Sequence, residues 1–230
     1  MLIGVEKRFV FIANSKTAST SIERALIPEA EIHRGGPDRG KHILLRQAVR
    51  QYDFLFAQKK YAPETFFKFG VMRDPVDWIQ SWYRYRVGNK VSNPLPEGTT
   101  FEEFWRKRVN RSIKRNQKPQ QRDFFTRLNG DLLADYIIPY HELADHFNLL
   151  ASELDFATKL PKTNVSKVKN LENAPSDALV EEIRDYYSED YELFNRLEEI
   201  NKAGLEHLKR TRVAKVKQPA KAEPEEALEE

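Results

Sequence analysis

The residues of this chain that can do chemistry fall at the ends of two apolar runs. The first run, Phe9 to Ala13, leads into Asn14, Ser15, Lys16, Thr17, Ala18, Ser19, Thr20 and Ser21, small polar residues around a single lysine. Ile22, Ala25 and Leu26 then fall at helical spacing, and Pro28 stops the helix early. A strand, a small-residue loop with a lysine, and a helix together make a phosphate cradle. Backbone N–H groups at the helix start face the anion, hydroxyls add donors, and the lysine adds a full charge. An ordinary strand–turn–helix with a Ser/Thr-rich cap fits this stretch equally well.

The second run, Thr65 to Met72, ends at Arg73, followed by Asp74 as a helix cap and Pro75 at the first helical position. Arg73 therefore sits where the C-terminal end of a strand meets a helix, the ligand edge of an open α/β sheet. A guanidinium there grips a phosphate through two parallel hydrogen bonds, and Ser81, about two turns on, adds a neutral donor. One such unit is common by chance. Two in one domain point to a ligand with two separated phosphate-like groups.

The elements that must position these groups follow from the patterning. Three strands are expected, at Phe9–Ala13, Thr65–Met72 and Leu132–Pro139. Lys41–His42 opens a helix with Ile43, Leu44, Ala48 and Val49 as apolar positions, and Gln51 to Tyr61 extends it. Further helices are expected at Pro75 onward, Thr100–Asn116, Glu142–Leu154 and Pro175–Leu197, the last interrupted around Tyr187–Asp190. The fold class is α/β: a short central parallel sheet flanked by helices, three-layered and P-loop-like. Residues 1–208 form that domain. Residues 209–230, basic and then acidic and poor in apolar residues, read as a disordered tail.

Composition narrows the functional classes. With 230 residues, 40% apolar and 32% charged, the chain suits one sizeable globular domain. No apolar run approaches the ~20 residues needed to cross a bilayer. The stretch before Lys16 lacks the basic region of a secretory signal, and there is no cysteine, so the expected location is cytoplasmic. A net charge of +3 is too small to call for nucleic acid, and no membrane partner is expected. Oligomeric state is not legible.

The ordered set of motifs resembles the PAPS-dependent sulfotransferases, especially the carbohydrate-type and bacterial branch. Their first motif, F-x-x-I-P-K-T-G-G-T-S-I, is similar to Phe11 through Ile22. Their second, F-x-F-V-R-N-P-x-D-R-x-x-S-x-Y, is similar to Phe67 through Tyr83. The resemblance continues through Asp135–Leu143, Leu160–Ser166 and Tyr187–Phe194. Ser15 replaces the usual proline, Ala18-Ser19 the paired glycines, and Asp74 an asparagine. Alanine and serine allow close backbone approach but do not reach positive φ cheaply.

The resemblance implies that Ser15 to Ser21 hold the 5′-phosphosulfate of PAPS, that Arg73 and Ser81 hold its 3′-phosphate, and that Lys16 neutralises the bridging oxygen as PAP departs. It implies a hydroxyl acceptor, glycan or another small polar molecule, anionic acceptors included, and no required metal. His42 is the candidate general base, since it lies between the motifs as a catalytic histidine does in some carbohydrate sulfotransferases, and imidazole titrates in the right range. A helix-capping or surface role remains open for it, and Glu31 and His33 are alternatives.

Other signals are weaker. His141 and His146 are five apart, on different helix rows, which disfavours a metal. The acid-free stretch from Phe104 to Arg122 is a solvated face or a landing strip for an anionic acceptor. Trp78 and Trp82 read as core. Two other functions stay open: a P-loop kinase or NTPase, against which this sequence lacks G-x-x-x-x-G-K-[ST] and an Mg²⁺-binding aspartate at a strand end, and a non-catalytic PAP- or anion-binding protein on the same fold.

Overall fold

The computed structural model describes residues 1–36, 38–88, 93–160 and 175–216. Among them, five strands form one mixed sheet: β1 (Leu2–Gly4), β2 (Phe9–Ile12), β3 (Ile32–His33), β4 (Phe67–Met72) and β5 (Tyr136–Pro139), in the order β3-β1-β2-β4-β5. β2, β4 and β5 run parallel, with Phe11 opposite Phe69 and Phe69 opposite Tyr136. β1 is antiparallel to both β2 and β3. The three expected strands are present, although β5 starts only at Tyr136. Leu132 makes no more than an isolated bridge to Thr126.

Side-chain alternation divides the core into two layers. Phe9, Phe11, Phe67, Phe69, Val71, Tyr136 and Ile138 face α1 (Ser19–Leu26) and the later helix α7 (Leu143–Glu153). Val10, Ile12, Met72 and Ile137 face the opposite way. Leu45 and Ala48 of α3 (Leu45–Gln51) cover them, with Leu193 of α9 (Ser188–Phe194) and Ile200 of α10 (Leu197–Val216). The result is the expected α/β/α sandwich. A third cluster joins α5 (Pro75–Gly88), α6 (Phe101–Arg115) and α8 (Asp177–Tyr186) through Trp78, Ile79, Trp105, Ile183 and Tyr187.

Two expectations need correction. Lys41–His42 does not open a helix: α2 (Asp38–Lys41) ends there, and α3 starts at Leu45, after an extended Leu44. The cause is distant in sequence, since the His42 ring is bound to the Ala13 carbonyl at the end of β2. Nor does a helix run through Gln51–Tyr61. That segment holds only the last residue of α3, then α4 (Asp53–Phe56) and one 3₁₀ turn, Lys59–Tyr61.

The last helix reaches Val216, past the expected domain boundary at 208. It covers the open side of β5: the Asn201 side chain accepts from Ile137 N at 2.8 Å and donates to Ile137 O at 2.9 Å. Gly204 lets the helix approach, because a Cβ there would lie 1.8 Å from the Asp135 carbonyl oxygen. The rest of the expected disordered tail, 217–230, and residues 161–166 of the Leu160–Ser166 motif lie outside the described residues.

Candidate active site

Three parallel strands end on one edge of the sheet, and each delivers part of the site. β2 runs into the loop of Asn14 to Ala18, β4 into Arg73, and β5 into Tyr140. This is the edge at which open α/β sheets bind ligands.

The first loop has an alternating backbone. Lys16 (φ 62°) and Ala18 (φ 57°) are both left-handed, and Thr17 between them is not. Alternation of this kind turns successive peptide N–H groups into a concave nest for an anion. Ala18 is also the N-cap of α1, and its carbonyl takes the N–H groups of Ser21 and Ile22. Ser19 and Thr20, the first residues of the helix, have no carbonyl behind them to bond. Where the family motif carries glycine, this chain thus holds an alanine in the left-handed region. That conformation costs it on the order of 1–2 kcal/mol.

The hydroxyls of the loop divide between two tasks. Thr17 is buried, and its Oγ1 donates to Asn14 O at 2.9 Å, tightening the turn. Thr20 Oγ1 accepts from Lys41 Nζ at 3.1 Å, and Lys41 also pairs with the buried Glu23. Ser15 lends its carbonyl to the indole N–H of Trp78 at 2.9 Å. Trp78 is core, as expected, and it anchors the loop as well. Trp82 is half-buried beside Lys16, whose ammonium lies 5.9 Å from that ring and 3.9 Å from the ring of Tyr85. Both are attractive cation–π distances.

Arg73 is held from beneath by a buried amide. Gln121 Oε1 accepts from Arg73 N at 3.1 Å, and Gln121 Nε2 donates to Arg73 O at 2.7 Å. The same Oε1 accepts from Asn14 Nδ2 at 3.1 Å, and Asn14 Nδ2 also reaches Val71 O at 3.2 Å. Gln121 N and Arg122 N in turn donate to the carboxylate of the fully buried Asp190, at 3.0 and 2.8 Å. Burial pushes the Asp190 carboxyl up to about 6. One buried network therefore ties the loop after β2, the Arg73 turn and α9 together.

The guanidinium of Arg73 stacks on Tyr140, 4.2 Å from the ring centroid. Its Nε is buried with no hydrogen-bond partner among the described residues. An unbonded cationic donor at this edge has capacity for an anion's oxygen, so these residues fit a phosphate-bearing donor. Asp74 is the cap expected of it: Oδ1 accepts from Val76 N and Asp77 N, and Oδ2 accepts from Tyr191 OH at 2.9 Å. With both oxygens engaged, it is no ready magnesium ligand, which weakens the kinase alternative. Ser81, half-buried on α5, lies two turns beyond.

His42 reaches the site. Its Nδ1 lies 2.6 Å from Ala13 O, three residues before Lys16. A carbonyl only accepts, so Nδ1 carries the proton and Nε2 is the basic nitrogen of the neutral ring. Glu31 is placed elsewhere: it accepts from Val5 N, beyond the end of β1 that is remote from the loop. His33 is exposed, across β1 from the phosphate loop.

His141 and His146 both contact the Glu142 carboxylate, and His146 Nδ1 lies 2.6 Å from Tyr136 OH. No group of three or more metal-type side chains is assembled among the described residues. In the basic stretch, Arg106 pairs with Glu102 and Glu182, Arg108 bonds Tyr187 OH, and Arg122 pairs with Glu189. Lys107, Arg111, Lys114 and Arg115 remain on the exposed face of α6.

Sequence reasoning missed Gln121, Tyr140 and Asp190. Tyr140 and Asp190 carried a signal only through their places in the Asp135–Leu143 and Tyr187–Phe194 motifs, and Gln121 carried none.

No helix among the described residues is long and apolar enough to cross a membrane. No curated protein and no solved structure matches the chain. The family model described as Sulfotransferase family matches residues 2–195, a span that includes the Asn14–Ala18 loop, His42, Arg73, Ser81 and Asp190. The chain belongs to the sulfotransferase family.

Proposed function

We propose that the protein moves a sulfuryl group from PAPS to a hydroxyl of a carbohydrate-like acceptor. The observation that carries this reading is the pairing, on one sheet edge, of a left-handed lysine-bearing nest with an arginine whose Nε is buried and unbonded. Two anion sites at the ends of adjacent parallel strands suit a nucleotide with a 5′-phosphosulfate and a second phosphate.

When bound, PAPS supplies an activated sulfuryl group on a good leaving phosphate. The residues supply position and charge, which is most of what such a transfer requires. The Ser15–Ser21 loop would hold the 5′ end, and the Lys16 ammonium, 3.9 Å from the Tyr85 ring, would neutralise the charge left on the departing group. Arg73 and Ser81 fix the 3′-phosphate. His42 Nε2 takes the proton of the acceptor hydroxyl as the new S–O bond forms, and the old S–O bond breaks to release PAP. The exposed cations of α6 favour an anionic acceptor.

The test is thermal stabilisation by PAP against ATP–Mg²⁺, followed by incubation with labelled PAPS and a cell extract. PAP at 100 times its Kd should stabilise the fold by about 2.7 kcal/mol. Stabilisation by ATP–Mg²⁺ in preference to PAP would overturn the reading, and PAP binding with no labelled product would leave a binding protein in place of an enzyme.

A further inference from the structure

Lys41, which the motifs leave without a role, ends α2 and reaches the head of α1. Its ammonium donates to Thr20 Oγ1 at 3.1 Å and to Glu23 Oε2 at 3.1 Å. The ion pair lies largely out of water, with side chains 13% and 8% exposed. Thr20 is the second residue of α1, one of the two whose backbone N–H has no carbonyl behind it.

A threonine hydroxyl carries one proton and two lone pairs, and an ammonium can only donate. The contact therefore fixes the roles: Oγ1 accepts from Lys41 and keeps its own proton for another acceptor. Among the described residues no group takes that proton. An O–H whose oxygen is held by a full positive charge is a stronger donor than a free one, because the two bonds polarise each other.

The electrostatics point the same way. The N-terminal end of a helix is positive, and α1 has no acidic residue in its first turn. Lys41 adds a cation at that end, where its one ion-pair partner among the described residues is Glu23, on the second turn. An anion in the cradle would face both charges.

We infer that Lys41 is a second cation of the cradle, a positioning residue that acts through Thr20 by aiming a polarised hydroxyl at the 5′ anion. This rests on the PAPS reading, and it adds to that site a group from outside the loop.

The experiment measures binding of PAP and of adenosine 3′-monophosphate, which lacks the 5′-phosphate. It compares the wild type with Lys41→Met, Lys41→Arg, Thr20→Val and the Lys41→Met/Thr20→Val pair. Lys41→Met should weaken PAP by about tenfold or more while leaving the 3′-monophosphate within about twofold. Lys41→Arg keeps the charge and should recover most of that loss. Once Thr20→Val has cut the relay, Lys41→Met should cost PAP no more than about twofold further. Lys41→Met combined with Glu23→Gln removes the buried pair as a unit and carries the test if the single variant does not fold.

Equal losses for both nucleotides, unchanged PAP affinity, or a full added loss in the valine background would each overturn the inference while leaving the donor reading intact. A wild type that binds PAP no better than the 3′-monophosphate would overturn it together with the 5′ cradle. A wild type that binds neither would overturn the donor reading itself.

Discussion

Gln121 grips the peptide of Arg73 at both ends, accepting from its N–H at 3.1 Å and donating to its C=O at 2.7 Å. A side-chain amide used in this way acts as a short piece of strand laid against the turn. It fixes where the guanidinium starts without touching the guanidinium.

Replacing Gln121 by alanine strands two part-buried groups, Arg73 N and Arg73 O, and leaves Asn14 Nδ2 with Val71 O alone. At about 1–3 kcal/mol for each stranded group, the loss of stability should be roughly 2–6 kcal/mol by urea unfolding. Gln121→Glu keeps the size but sets a carboxylate against the Arg73 carbonyl. It should weaken PAP binding more than a surface change of equal charge does, and unchanged PAP affinity would show that the Arg73 turn positions itself.

His42 has a structural bond and a proposed chemical one, and two substitutions separate them. Asparagine can replace Nδ1–H as donor to Ala13 O but cannot accept a proton at neutral pH. His42→Asn should fold normally, bind PAP nearly as well as the wild type, and lose roughly 100-fold or more in kcat. Near-normal turnover in that variant would remove His42 from the mechanism.

Ala18 pays for its left-handed backbone (φ 57°) at the head of α1. Ala18→Gly should leave the unfolding free energy unchanged or raise it by at most about 1 kcal/mol, since relief of strain is partly offset by chain entropy. Ala18→Val should cost more than about 2 kcal/mol, because a β-branched residue is an outlier there. A valine variant as stable as the wild type would mean the loop adopts another conformation in solution.

Asp190 makes stability depend on pH in a defined direction. Its carboxyl titrates at about 6 in the fold against 3.8 when unperturbed, because burial penalises the charge. The folded state holds the proton more tightly, so this contribution is fully present below pH 3.8 and is lost as pH rises through about 6. The change should be on the order of 1–3 kcal/mol. Thermal unfolding between pH 4 and 7 should therefore show a steeper loss for the wild type than for Asp190→Asn. An equal or opposite difference in slope would contradict it.

The parts of this molecule legible in its sequence are those whose cause is local. β2 and β4 announce themselves as apolar runs, and Lys16 and Arg73 follow because each stands at the end of one. β1 and β3 are three and two residues long, too short for any periodicity, and exist only because a longer neighbour pairs with them. The break before α3 is set by a carbonyl 29 positions away. Gln121 sits in a polar stretch where glutamine carries no signature, and its importance comes wholly from what folds around it.

The outer flank of β5 has a consequence for how the protein is handled. Asn201 and Gly204 belong to a helix that begins after residue 195, where the family match ends. A chain shortened to the matched span would keep every proposed catalytic group, yet it would expose the Ile137 peptide as an unpaired rung. Such a rung recruits strands from other molecules. The shortened protein is expected to self-associate and elute as oligomers in size-exclusion chromatography. On that expectation the last helix guards the sheet edge against polymerisation, and the smallest unit that stays monomeric is larger than the smallest recognisable one.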